Sequence, residues 1–155
     1  MRYPDFVEPD LRSWLKQFHF FSSLRTRFSE TDAFGHINNV SYFIYLEQAR
    51  IDYMEQLHSI NEVFHQKDYM IVTANLEIHY LTPLYHGQMI NIHVRTSRIG
   101  KSSFELEYVI EKNGVVAAVG KGALVFIDKK NNQSAPLPEK FVHEIMTLEG
   151  MIVEK

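Results

Sequence analysis

The chain has 155 residues, 45% of them hydrophobic and 23% charged, and a formal net charge of -3. That length suits one domain around a single core, and scattered basic residues under a net negative charge offer no basic face for nucleic acid. With no cysteine, disulfides, thiolate-rich metal sites and a Cys nucleophile are all excluded.

Residues 1–17 read as an N-terminal extension and 18–155 as the domain. The extension has a short helical stretch around Leu11 to Phe18, and prolines at 4 and 9 break anything longer. Asp5, Glu8 and Asp10 interrupt its apolar residues, which argues against a signal peptide. No apolar run approaches the roughly 20 residues that cross a bilayer, so no membrane span is expected and the cytoplasm is the expected compartment.

Phe18 to Phe28 has the aromatic weight of a strand. Ser29 to Asn39 is polar, contains a glycine and is rich in capping residues, which makes it a loop. Val40 to Leu57 turns helical: Tyr42, Leu46, Ala49, Tyr53 and Leu57 form one stripe at spacings of three and four. Tyr42 to Leu46 is apolar on every side, so that end of the helix is expected to be surrounded.

Four strands follow. Met70 to Leu81 places Val72, Ala74, Leu76, Ile78 and Tyr80 on one side; Met89 to Ile99 and Ser103 to Lys112 alternate in the same way. Asn113-Gly114 predicts a type I′ hairpin into Val115 to Asp128. This last strand is apolar on both faces, as a central strand is, and Gly120 and Gly122 would admit a helix closely. The tail holds a polar turn and a short helix, Glu139 to Leu148. Five antiparallel strands with one long helix make an α+β layer arrangement. One helix cannot cover five long strands, so an association surface is expected.

The segment Thr31-Asp32-Ala33-Phe34-Gly35-His36-Ile37-Asn38-Asn39 carries the chemistry. Asp32 stands between a strand and a helix N-terminus, whose free N–H groups and partial positive charge can hold an anion or a developing oxyanion. A carboxylate just upstream can attack a carbonyl or activate water, and Gly35 permits a tight turn between the two. The residue types also allow a plainer role, since Asp, Asn38, Asn39 and Ser41 are ordinary cap and turn formers and a lone His36 is commonly structural.

Thr31-Asp32-x-x-Gly35-His36-x-Asn38-Asn39-x-x-Tyr42, followed by Glu47-x-x-Arg50, resembles the active-site region of the 4-hydroxybenzoyl-CoA thioesterase-like family. The order of elements from Phe20 to Asp128 is similar to its hotdog fold, a five-stranded antiparallel sheet wrapped around one long central helix. The resemblance implies an acyl-CoA thioesterase without metal or cofactor, in which the Asp matching Asp32 is nucleophile or general base. A backbone N–H at the helix start, mapping to Asn39, would polarise the thioester carbonyl. Gly35, His36, Asn38 and Tyr42 would line or support the site. It further implies protomers paired edge to edge, as a homodimer or a dimer of dimers, with the active site at their interface. The Gly35-His36-x-Asn38-Asn39 segment is closer to the broad bacterial acyl-CoA branch than to the aromatic-acyl branch.

Glu47 is the second candidate carboxylate, read here as an i,i+3 ion pair with Arg50. Arg95, Arg98, Lys101 and Lys121 are candidates for the phosphates of CoA, and Arg98 to Ser103, with Ser102 inside it, reads either as a solvated hairpin loop or as a turn offering backbone donors beside two cations. The eight histidines lack metal-ligand spacing, and no Gly-x-Ser-x-Gly element is present. The alternatives to an acyl-CoA hydrolase are an acyl-carrier-protein thioesterase, which would need a basic docking face, and a non-catalytic acyl-CoA binding module.

Overall fold

The fold comes from a computed structural model that describes residues 2–151; the last four positions of the expected domain lie outside the described residues. A five-residue helix α1 (Leu11–Leu15) precedes strand β1 (Phe20–Arg25) and a 3-10 turn, Phe28–Glu30. The long helix α2 (Asn39–Met54) and a short α3 (Ile60–Phe64) come next. Strands β2 (Tyr69–Tyr80), β3 (Met89–Ile99), β4 (Ser103–Lys112) and β5 (Val115–Asp128) follow, then a two-residue β6 (Gln133–Ser134) and α4 (Glu139–Leu148). The sheet is antiparallel throughout in the order β1-β3-β4-β5-β2, and β6 adds a short rung beside β5.

The predicted stripe of α2 is its buried face: Tyr42, Leu46, Ala49 and Tyr53 are all buried, joined by Tyr45, Arg50 and Met54. They pack against Ile90, Ile92, Val94, Leu106, Tyr108 and Ile110 on the inner face of the sheet. Gly120 shows how close the helix comes, because a Cβ there would lie 3.2 Å from the Leu46 side chain and 2.9 Å from the Glu77 carbonyl. Gly122 answers to the neighbouring strand instead: its Cβ would sit 2.6 Å from the Asn75 carbonyl. The type I′ turn holds, with positive φ at both Asn113 (50°) and Gly114 (78°).

Two expectations are corrected. The alternation of β2 breaks at a bulge between Thr73 and Asn75. Each extra residue flips the side-chain sequence to the other face, so Tyr69 and Ile71 join Leu76 and Ile78 against the core, while Val72 and Ala74 do not. Nor does this chain surround the start of α2: Val40, Phe43 and Ile44 stay exposed, Ile44 at 55%.

The outer face of the sheet is covered by the N-terminal segment. Val7 and Trp14 are buried with Val109 and Val119, flanked by Phe6, Leu11, Leu15 and Phe18. Trp14 is fully buried, and its indole N–H donates to the Glu107 carboxylate at 2.6 Å, where Arg95 also pairs at 2.7 Å. A second core on the opposite face explains why β5 is apolar on both sides.

Candidate active site

β1 ends beside the start of β3, and Thr26 ties the chain there through hydrogen bonds with the Tyr85 and Gln88 backbone. After the 3-10 turn, Thr31 and Ile37 pair as an isolated antiparallel bridge, which closes the loop between them. Inside it the Asp32 N–H donates to the His36 carbonyl (2.8 Å) and the Gly35 N–H to the Asp32 carbonyl (3.1 Å). Gly35 takes a φ of 81°, the left-handed conformation that glycine adopts without strain. The Asp32 Oδ1 accepts from the Phe34 N–H at 2.9 Å, so one carboxylate oxygen orients the side chain.

The loop delivers the chain into α2. Asn38 is the N-cap: its side chain accepts from the Val40 N–H (2.9 Å) and its carbonyl from the Ser41 N–H (3.0 Å). Among the described residues the Asn39 N–H, at the first helical position, has no hydrogen-bond partner. That is the donor pattern of a helix start, strengthened by the partial positive charge at the N-terminus of a 16-residue helix.

Asp32, His36, Asn39 and Tyr42 line one open cleft of about 280 Å³, together with Tyr80 and Pro83. The exposed Asp32 and the helix start therefore border the same space. Tyr80, at the end of β2, donates from its hydroxyl to the Asn39 carbonyl at 2.9 Å and meets the Tyr42 ring edge-on, with centroids 4.9 Å apart. Burial raises the pKa of both hydroxyls, so both stay neutral at physiological pH. The His36 ring leans edge-on against Tyr85, 5.2 Å between centroids.

The remaining predicted residues are placed as follows. Gly35 and Asn38 shape the loop and the cap rather than line the cleft. Arg98, Lys101 and Ser102 lie at the other end of β3, roughly 30 Å along the strand from the Asp32 end, and are not brought to the cleft within one chain. Within their turn the Gly100 N–H is taken by the Ser103 carbonyl, and the Lys101 and Ser102 carbonyls accept from Leu137 and Phe126. The turn presents cations but spends its Gly100 donor on itself. Arg95 pairs with Glu107, and Lys121 sits 3.6 Å from Glu105. Glu47 is exposed and 3.9 Å from Arg50, away from the cleft. No group of three or more His, Asp or Glu near enough to hold a metal is found among the described residues. Ile37 and the run from Tyr80 to Pro83 are the cleft residues that the sequence did not single out; the end of a strand followed by a proline is a weak signal for a wall.

Residues 26–145 match the family model of the thioesterase-like superfamily. The chain belongs to that superfamily. YsmA of Bacillus subtilis (strain 168), an uncharacterized protein, is 35% identical over 86% of this chain and 90% of its own length. A thioesterase from Thermus thermophilus, crystallised with coenzyme A and Zn, superposes with a TM-score of 0.76 at 34% identity, covering 89% of this chain and 99% of that one. The long-chain acyl-CoA thioesterase FadM of Escherichia coli (strain K12) is 27% identical over 75% of this chain and 89% of its own. The helix wrapped by a curled antiparallel sheet is the hotdog fold of these enzymes, and the matched segment includes every residue of the Asp32 cleft.

Proposed function

We propose that this protein hydrolyses an acyl-CoA thioester to the free carboxylic acid and CoA, acting in the cytoplasm as a homo-oligomer, with Asp32 as nucleophile or general base. The observation that carries the reading is the cleft that Asp32 shares with Asn39, whose main-chain N–H has no partner among the described residues. A thioester carbonyl seated between them would have its oxygen at the helix start and its carbon open to the carboxylate side. As base, Asp32 takes a proton from water while the hydroxide adds to the carbonyl carbon. As nucleophile, it forms a mixed anhydride that water then opens. Either way the C–S bond breaks, the thiolate leaves and takes up a proton, and the net reaction adds one water. The oxyanion is the main electrostatic demand, and one preorganised donor contributes about 3 kcal/mol to meeting it. Tyr42 and His36 line the cleft, and Asn38 holds the helix start in place.

The site is completed by a second copy. The outer edge of β2 has no strand beside it among the described residues, and the apolar Phe34, Val40, Phe43 and Ile44 lie exposed around the cleft and helix start. Two β2 edges paired antiparallel about a two-fold axis would set the Tyr80 end of one against the Tyr69 end of the other. The Tyr69 end is the end at which β4 begins, at Ser103. The turn with Arg98, Lys101 and Ser102 from the second copy thus comes toward the Asp32 cleft of the first, where its cations meet the phosphates of CoA. The names of FadM and of the CoA-bound Thermus enzyme support the same substrate class.

The test is CoA release, followed with a thiol-reactive dye, across short, medium, long and aromatic acyl-CoAs, with Asp32→Asn alongside. Wild-type turnover that falls at least about 100-fold in a folded Asp32→Asn protein is expected. A variant with near-full activity would overturn the mechanism. A folded wild type that turns over none of the panel would redirect attention to a carrier-protein thioester or to binding without catalysis.

A further inference from the structure

Glu30 stands two residues before Asp32 and is nearly buried, its side chain 10% exposed. Its Oε1 accepts two hydrogen bonds, from the Tyr45 hydroxyl and from the Arg27 N–H, each at 2.8 Å. Its main-chain carbonyl accepts from the Asn38 N–H at 2.7 Å. One residue thus grips α2 at two places: at the N-cap through the backbone, and at Tyr45, seven residues further along, through the side chain. Tyr45 is itself buried in the core, its ring 6.1 Å from that of Tyr42. Between these grips run the two legs of the Asp32 loop, joined by the Thr31–Ile37 bridge.

We infer that Glu30 and Tyr45 are positioning residues, whose hydrogen bond fixes the Asp32 loop relative to the Asn39 N–H; this rests on the hydrolase reading given above. Neither touches the cleft, and their effect runs through the distance and angle between carboxylate and helix start. The sequence around them explains why such a tie is needed. Asp32 sits on an exposed turn held by backbone bonds within the loop itself, and those bonds do not fix the loop as a body against the helix. Without the Tyr45 bond the loop keeps the Glu30 carbonyl bond to the Asn38 N–H and the Ile37 N–H bond to the Leu84 carbonyl, and loses its one tie further along the helix. A displacement of about an ångström between reacting groups is enough to lose orders of magnitude in rate.

Three variants separate positioning from simple stability. Tyr45→Phe removes only the hydroxyl. Glu30→Ala removes the bonds from Tyr45 and from the Arg27 N–H together with the 3.4 Å ion pair to the Arg27 guanidinium, and Glu30→Gln keeps an oxygen at the Oε1 position to accept the first two. Steady-state kinetics are measured well below each melting temperature, and the backbone amides of Asp32, Asn38 and Asn39 are followed by 15N-edited NMR. Expected are a loss of about tenfold or more in kcat for Tyr45→Phe and Glu30→Ala, with KM within about threefold, displaced Asp32 and Asn39 amides in both, and recovery of rate and resonances in Glu30→Gln. Tyr45→Phe together with Glu30→Ala should be little worse than Glu30→Ala alone, because the Tyr45 bond is already gone in the single variant. Folded Tyr45→Phe and Glu30→Ala proteins with kcat within about twofold of wild type, or with the Asp32 and Asn39 amides unmoved, would overturn the inference. A wild type inactive on every acyl-CoA would overturn the hydrolase reading instead, and the amide shifts would then decide the positioning role by themselves.

Discussion

At the residue scale, the cleft depends on a few short-range choices made by the chain. A glycine in the left-handed region lets the backbone reverse between Asp32 and the helix. An asparagine cap takes the next two helical N–H groups and leaves that of Asn39 available. A more distant residue shows the same economy of bonds. Glu149, just past the end of α4, places Oε1 where it accepts from the Tyr53 hydroxyl (2.5 Å) and the Thr96 N–H (3.1 Å). Burial raises its pKa, while the bonds from Tyr53 and Thr96 and the charges of His19 and Arg95 pull the other way without cancelling it. A carboxyl whose folded pKa is raised contributes stability below its unfolded pKa and loses it as pH rises through the folded value. Glu149→Gln keeps the acceptor and removes the charge, so the variant should gain stability over wild type at pH 7 to 8. That gain should shrink as pH is lowered through the Glu149 titration. Urea melts at a series of pH values would show it; a constant difference across the range would assign the effect to something other than ionisation.

At the scale of elements, the outer face of the sheet is ordered by charge. Arg95 on β3 lies opposite Glu107 on β4, Glu107 opposite Lys121 on β5, and Lys121 opposite Glu77 on β2. The row alternates in sign across four strands, and cross-strand neighbours of opposite charge favour this register. Of the cations expected to serve a phosphate, Arg95 is thereby committed to the sheet, where its partner Glu107 is 4% exposed. Trp14 closes over the same carboxylate. Trp14→Ala should cost about 3–5 kcal/mol, from the lost burial and the cavity left behind, with a further penalty at Glu107 for its missing donor. Denaturant unfolding measures this directly. A loss below about 1 kcal/mol would mean that the N-terminal segment adds little to the fold. Tyr53, Thr96 and Glu149 play a comparable part on the inner side, where they tie α4 to α2 and β3.

At the scale of the whole molecule, the exposed apolar start of α2 and the open edge of β2 belong together. An exposed edge strand invites pairing, and natural proteins blunt or cover such edges; here the apolar Val40, Phe43 and Ile44 lie beside the cleft that pairing would complete. Ile44→Lys is chosen because Ile44 is 55% exposed, so its replacement leaves the core of the single chain intact. The variant should weaken association and lower turnover together, while the melting profile of the monomeric fold is retained. Light scattering with parallel kinetics tests this. An unchanged mass, or a monomer with full activity, would count against a shared site.

The sequence by itself determined the long helix and the five main strands, and it marked the candidate site. A stripe at helical spacing, alternating strands, the Asn113-Gly114 turn and the Thr31 to Tyr42 segment are local patterns, and local patterns are set by backbone conformations available to a few consecutive residues. Gly35 and Asn38 could be read as turn and cap for the same reason. What only the tertiary structure decided is whatever depends on residues far apart in the chain. The bulge in β2 moved Val72 and Ala74 off the core side, because register is negotiated between strands. The separation of Arg98, Lys101 and Ser102 from Asp32 follows from the length and direction of β3. The grip of Glu30 on Tyr45, the Tyr80 wall and the Trp14 bond to Glu107, 93 residues away, join partners that no periodicity links. A hydrogen bond carries no trace in sequence spacing unless both partners lie on one element, and here they lie on different ones.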